Sequence, residues 1–289
     1  MHNIKSVSLV IPAYKQEKTI LNNLKKLYEI LEPLPYKFEI VVVVDGLLDK
    51  TYDKAKEFGK RNVKVIGYKK NQGKGYAVKL GVLKATGDVI GFMDAGLDLN
   101  PNGIPLLLDL MKFHDADIVI GSKLHPESKV AYPLGRIILS WGYRSLIEIL
   151  FGLTIRDSQV GLKFFKKKVA KDVFKRLIVK RFAFDIEALA VAQSRGYKKI
   201  YEGPIELDFT RVESSITSGN FWRIILHMLW DTLAVFYRLK ILRYYDKQSL
   251  RSNDLKQSLR SDDLKQSLRS DDLKQSLRSR KLKPHKIDS

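Results

Sequence analysis

The chain predicts an α/β fold, a mostly parallel sheet with helices on both faces. Two observations carry this: five short apolar runs precede residue 123, and helical stretches lie between them. Strands that alternate with helices pair in parallel, because each crossover helix returns the chain to the same end of the sheet. The runs are VSLVIP (7–12), FEIVVVVD (38–45), VKVIGY (63–68), DVIGFMD (88–94) and DIVIGS (117–122). They are largely continuous in apolar residues, as in strands covered on both faces. The helical stretches are 17–31, 51–58, 76–84 and 104–112. From about 123 to 212 the pattern is less regular, with shorter strand candidates at 162–166, 199–202 and 205–210. This stretch is read as the second half of one domain, 1–212.

A chain of 289 residues can bury a sizeable core. The net charge of +20 points to a polyanionic partner: nucleic acid, an anionic membrane surface or phosphorylated substrates. Zero cysteines exclude disulfides, thiolate metal sites and cysteine nucleophiles. The first apolar run is too short for a signal peptide and ends at Pro12. No stretch reaches about 20 uninterrupted apolar residues, so no ordinary transmembrane helix is expected. Residues 247–282 are four tandem nine-residue units of the type KQSLRSDDL. Nine residues advance a helix by about 900°, half a turn net, so successive leucines fall on opposite faces. The segment 247–289 is read as a low-complexity tail without a catalytic role. Its twelve Lys and Arg are offset by six Asp, so most of the excess charge belongs to the residues before it.

The stretch GDVIGFMDAGLD (87–98) places Asp94 at the end of a buried strand and Asp98 four residues on. Ligands of open α/β sheets sit at the carboxyl ends of strands, and paired carboxylates there can hold a hard divalent cation. The plainer alternative makes Asp94 a turn cap and Asp98 a helix starter. In VIPAYKQE (10–17), Pro12 stops pairing, Tyr14 offers a flat face to a base, and Glu17 can accept from a base or ribose or cap a helix. Asp45 leaves the second strand, where a carboxylate commonly meets a ribose or base edge; Asp49 is read as an N-cap. In NQGKGYAV (71–78), backbone N–H groups at a helix start and the charge of Lys74 attract phosphate. It is no Walker A loop, since Gly75 stands where Ser or Thr is required.

Taken in order and spacing, VIPAYKQE, the Asp45 segment, NQGKGYAVKLGVLKATGD, FMDAGLD, VIGSK, RDSQVGLKFF and RFAFDIEAL resemble family 2 glycosyltransferases with the Rossmann-like GT-A fold. The closest branch is that of the dolichyl-phosphate (polyprenyl-phosphate) glucose or mannose synthases, and the resemblance covers roughly residues 5–245. It implies an inverting hexosyltransferase that takes a nucleotide sugar, UDP-glucose or GDP-mannose, and polyprenyl or dolichyl phosphate. RDSQVGLKFF looks more like the glucosyl branch. Pro12, Ala13, Tyr14, Glu17 and Asp45 would bind the donor nucleoside, with Lys74 near its phosphates. Asp94 matches the first acid of the family's Asp-x-Asp metal motif, but the second acid position is Gly96. Asp94 and Asp98 are therefore expected to share Mg2+ or Mn2+. Arg136, Ser140, Gln159 and Lys163 are implied at the acceptor phosphate, and Asp157 and Arg211 at the reaction centre. Asp185 and Glu187 fall where the branch approaches the sugar, or serve as helix N-terminal acids. Transfer to a polysaccharide or protein, and a catalytically impaired binder suggested by Gly96, stay open.

Two helical stretches share an unusual composition. In 136–151, Arg136, Ser140, Arg144 and Glu148 recur every fourth residue, and most of the rest is apolar. In 221–239, Arg223, His227, Asp231 and Arg238 fall within about 80° of arc. Polar stripes this narrow suit a helix packed deep in the protein or one lying in a membrane interface, and two beside the net charge favour the interface. Hence 213–246 is read as an amphipathic juxtamembrane helix at an anionic membrane surface. The expected place of action is the cytoplasmic face, with peripheral or monotopic attachment. The aromatics lie within apolar helices rather than among basic residues, which speaks against nucleic acid.

Overall fold

The computed structural model describes residues 4–128, 134–181, 183–207 and 221–247. Among the described residues, seven strands form one sheet in the order β3-β2-β1-β4-β6-β5-β7. They are β1 (Ser6–Ala13), β2 (Lys37–Asp45), β3 (Val63–Tyr68), β4 (Val89–Met93), β5 (Ile118–Ser122), β6 (Leu162–Lys166) and β7 (Ile200–Pro204). β2, β1 and β4 are valine- and isoleucine-rich, and almost every residue in their paired stretches is buried, as the continuous apolar runs require. All neighbours pair in parallel except β6, which runs antiparallel to both β4 and β5. Its register sets Leu162 opposite Met93, so the loop entering β6 meets the carboxyl end of β4.

The helices are α1 (Ile20–Leu31), α2 (Thr51–Glu57), α3 (Lys74–Lys84), α4 (Gly103–Phe113), α5 (Leu134–Phe151), α6 (Lys167–Phe174), α7 (Phe184–Ser194) and α8 (Phe221–Phe236). A π-helical turn, Tyr237–Ile241, continues α8. These elements lie in one compact unit ending at Leu242, and a second unit starts at Arg243 with the short helix Tyr244–Lys247. On α1 the buried residues Ile20, Asn23, Leu24, Leu27 and Leu31 follow helical spacing and cover one face.

Several boundaries differ from the sequence expectation. The first helix starts at Ile20 rather than 17, because the N–H groups of Thr19 and Ile20 both turn back to the Gln16 carbonyl. The third starts two residues early, at Lys74, on the glycine turn. In the candidate strand 205–210, Ile205 and Glu206 lie outside any strand, and Leu207 makes one antiparallel bridge to Leu99; 208–210 lie outside the described residues. The tail from 248 also lies outside them.

α5 and α8 touch through the Tyr143 and Thr232 hydroxyls at 2.8 Å and the Phe151 and Phe236 rings. Two residues of the polar stripe read on α8 differ in environment. Arg238 turns inward to the fully buried Glu187, at 3.5 Å, while His227 is exposed. The outward face is apolar: Leu226, Trp230, Leu233, Tyr237 and Ile241 are each 48–72% exposed. Trp141 and Ile149 project likewise from α5. Among the described residues no helix is long and apolar enough to cross a membrane.

Candidate active site

The carboxyl ends of β1, β2 and β4 form one rim. Pro12 does not end the pairing as expected: it and Ala13 are the last paired residues of β1, opposite Val43 and Val44. Beyond them Tyr14 is exposed, with the Lys15 ammonium 5.5 Å from its ring centre. Glu17 does not stand free in this loop: its carboxylate accepts the Lys50 N–H at 3.0 Å. Asp49 in turn accepts the Thr51 N–H at 3.0 Å, at the first residue of α2. The loops after β1 and β2 are thus tied together.

Asp45, buried at the end of β2, accepts from the Tyr68 hydroxyl (2.8 Å), the Asn71 amide (3.1 Å) and the N–H groups of Gln72 (2.7 Å) and Gly73 (2.9 Å). Its carboxylate is thereby engaged in shaping the glycine turn. Gly73 has φ +99°, and a Cβ there would overlap the Lys180 carbonyl, so the turn can pack only as glycine. α3 starts immediately after it, and its first side chain, Lys74, reaches across to β4.

Asp94 follows the last residue of β4 and meets that ammonium at 2.6 and 2.8 Å, one distance to each carboxylate oxygen. Burial works against the charge on Lys74, but Asp94, with Asp185 and Asp98 adding to it, holds the ammonium above its ordinary value. The turn after Asp94 is fixed from two sides. The Leu97 N–H (φ +53°) returns to the Asp94 carbonyl at 3.2 Å, and the buried Asn23 amide of α1 donates to the Ala95 carbonyl at 2.7 Å. A Cβ at Gly96 would sit 3.3 Å from an Asp98 carboxylate oxygen, so Asp98 overlies the place from which an acid at 96 would project. Across the rim, Gly161 packs its backbone against the Asp94 carboxylate, and any side chain there would collide with it. Among the described residues no group of three or more His, Cys, Asp or Glu is gathered for a metal. Two carboxylates on one turn fit a small hard cation that fills its other positions with phosphate oxygens and water.

Lys163 is fully buried; its ammonium pairs with Asp185 at 2.6 Å and donates to the Val160 carbonyl. Burial pulls the Lys163 ammonium below its ordinary value and pushes the Asp185 carboxyl above its own. In this arrangement no outside phosphate reaches Lys163. Asp157, also buried, accepts the Lys123 N–H at 3.1 Å and so holds the loop after β5; the Asp157 N–H donates to Glu202 at 3.0 Å. The Gln159 amide lies 2.9 Å from the Met228 sulfur of α8. Arg136 and Ser140 lie one turn apart in the first half of α5, and Arg211 lies outside the described residues.

Residues 8–174 match the profile described as Glycosyl transferase family 2, more than half of the chain. The chain belongs to that family. Among its relatives, a dolichyl-phosphate beta-glucosyltransferase of Trichomonas vaginalis is 33% identical, over 84% of this chain and 77% of that protein. The dolichyl-phosphate beta-glucosyltransferase of Homo sapiens is also 33% identical, over 82% and 76%. Two solved structures share the GT-A fold of the family at low identity. Mannosyl-3-phosphoglycerate synthase from Rubrobacter xylanophilus matches with a TM-score of 0.60 at 16% identity, over 84% of this chain and 76% of that one. Glucosyl-3-phosphoglycerate synthase from Mycobacterium tuberculosis, solved with Mn2+, UDP and glucosyl-3-phosphoglycerate, matches at 0.54 and 19%, over 70% and 71%.

Three site-shaping residues of this family 2 chain escape sequence reasoning: Asn23, Gly161 and Glu202. Asn23 carried a signal, a polar residue on the apolar face of α1. Gly161 was legible only as the glycine of RDSQVGLKFF, not as a neighbour of Asp94, and Glu202 carried no signal, because their partners come from distant elements.

Proposed function

We propose that this enzyme transfers glucose from UDP-glucose to dolichyl (polyprenyl) phosphate at an anionic membrane surface, on its cytoplasmic face, with inversion at the anomeric carbon. One observation carries the reading. Lys74, Asp94 and Asp98 converge on one rim, in a chain whose relatives over most of its length are named dolichyl-phosphate beta-glucosyltransferases. Asp94 and Asp98 would hold Mg2+ or Mn2+, which supplies Lewis-acid neutralisation of the leaving diphosphate. Lys74 adds a fixed ammonium at the same place, and Arg211 is assigned beside it. Tyr14 stacks the base, and Pro12, Ala13 and Glu17 shape its pocket. Asp45 contributes by fixing the turn that carries Lys74. The acceptor phosphate is already anionic at neutral pH, so no strong base is required. Asp157 orients the acceptor side by holding the Lys123 backbone. Arg136, Ser140 and Gln159 are assigned to the acceptor phosphate, while Lys163 supports the rim from below through Asp185. The apolar face of α8 suits a lipid surface, where a lipid-borne acceptor lies, and the net positive charge suits anionic headgroups.

A transfer assay with dolichyl phosphate and a panel of radiolabelled nucleotide sugars tests this. UDP-glucose is expected to be the best donor, and Asp94→Asn is expected to lose at least about 100-fold in transfer. Full, metal-dependent transfer by that variant would remove Asp94 from the site, and preference for GDP-mannose would overturn the glucose assignment.

A further inference from the structure

We propose that Glu187 and Arg238 are positioning residues joining α8 to the donor rim, so that seating α8 on lipid tightens nucleotide binding. The inference rests on the membrane reading above. Glu187, in the first turn of α7, has no solvent exposure. Its carboxylate accepts the N–H groups of Ile178 (3.0 Å) and Val179 (2.9 Å). The Arg238 guanidinium, 3.5 Å away, comes from the π-helical turn that continues α8. π turns are rare and concentrate at functional sites.

The backbone that Glu187 holds is the floor of the glycine turn. The Lys180 carbonyl lies against Gly73 and accepts the Tyr76 N–H at 3.2 Å. The Val179 carbonyl would be 2.7 Å from a Cβ on Gly75. Lys180 also donates to the Gln72 side chain at 3.2 Å. Lys74 stands between those two glycines and holds Asp94. From α8 to Asp94 the path is therefore Arg238, Glu187, residues 178–180, the glycine turn at 73–75 that those residues touch, and Lys74 within that turn. On either side of Arg238, Tyr237 and Ile241 belong to the exposed apolar face. A displacement of α8 by lipid would bear on Glu187 through Arg238, and the close packing of Lys180 against Gly73 would pass it to the turn.

A path of contacts is not yet coupling. The test is calorimetric titration of the full chain with UDP and Mn2+, with and without vesicles of phosphatidylserine and phosphatidylcholine, alongside steady-state kinetics. For the wild type, vesicles are expected to tighten UDP binding about tenfold. Arg238→Gln should bind vesicles as before but lose that tightening, with donor KM raised about tenfold and kcat within about twofold; Arg238→Lys should recover part of it. An unchanged donor KM with the vesicle effect intact in Arg238→Gln would overturn the proposal. Should that variant not fold, Glu187→Gln, which keeps shape and removes charge, gives the same decision. If the wild type binds vesicles without tighter UDP binding, this inference fails and the membrane reading stands. If it does not bind vesicles, the membrane reading itself fails.

Discussion

Gly161 shows how narrowly the rim is built. Its Cα faces the Asp94 carboxylate, and one added methyl group would push that carboxylate off Lys74. Gly161→Ala is therefore expected to lower nucleotide affinity at least about tenfold, with thermal melting little changed, because the strain falls on a side chain that can swing aside. Titration with UDP and Mn2+ beside a melting curve checks both halves. The rim residues differ in how far sequence could read them. Asp94 and Lys74 were legible from local pattern, one at a strand end and the other at a glycine-flanked helix start. Asp45 was legible as a strand-end carboxylate, but not as the acceptor for a backbone turn, since backbone donors leave no mark in a sequence. Lys163 is implied by the resemblance at the acceptor phosphate, and nothing local in the sequence marks it as buried. Its burial depends on Asp185, which is 22 residues away and reaches it only in the folded sheet.

At the scale of elements, the strands were readable because their apolar runs are continuous. The direction of β6 was not, because its five residues pack the same way in either sense. The helix α8 was recognised as unusual in composition, but that a buried acid on α7 claims Arg238 was not legible from its own residues. A polar brace between β1, β2 and the turn before β4 yields a pH prediction. Glu39 of β2 accepts from Lys64 (2.7 Å), the Ser8 hydroxyl (2.6 Å) and both the N–H and hydroxyl of Thr86. Burial works against its charge, but these bonds prevail and bring the carboxyl down from 4.5 to about 2. A group depressed in the folded state stabilises above its unfolded value and loses that contribution as acid is added. Stability is thus expected to fall by up to about 3 kcal/mol between about pH 4.5 and 2. Glu39→Gln should flatten that part of the urea-denaturation profile.

On the scale of the whole molecule, the family match ends at residue 174, while helices and strands continue to Ile241. The two halves are not successive modules, because β6, from the second, lies between β4 and β5, from the first. A polypeptide ending at about residue 127 would carry β4 and β5 with the slot between them open, leaving two bare rows of backbone N–H and carbonyl groups. Such edges recruit further strands. Expressed alone, that fragment is expected to aggregate, and co-expression with residues 128–289 should return it to solution as a noncovalent pair; gel filtration reads the outcome. The reversed strand is thus a lock: the residues before 128 cannot complete their sheet without a strand that only the later part of the chain supplies.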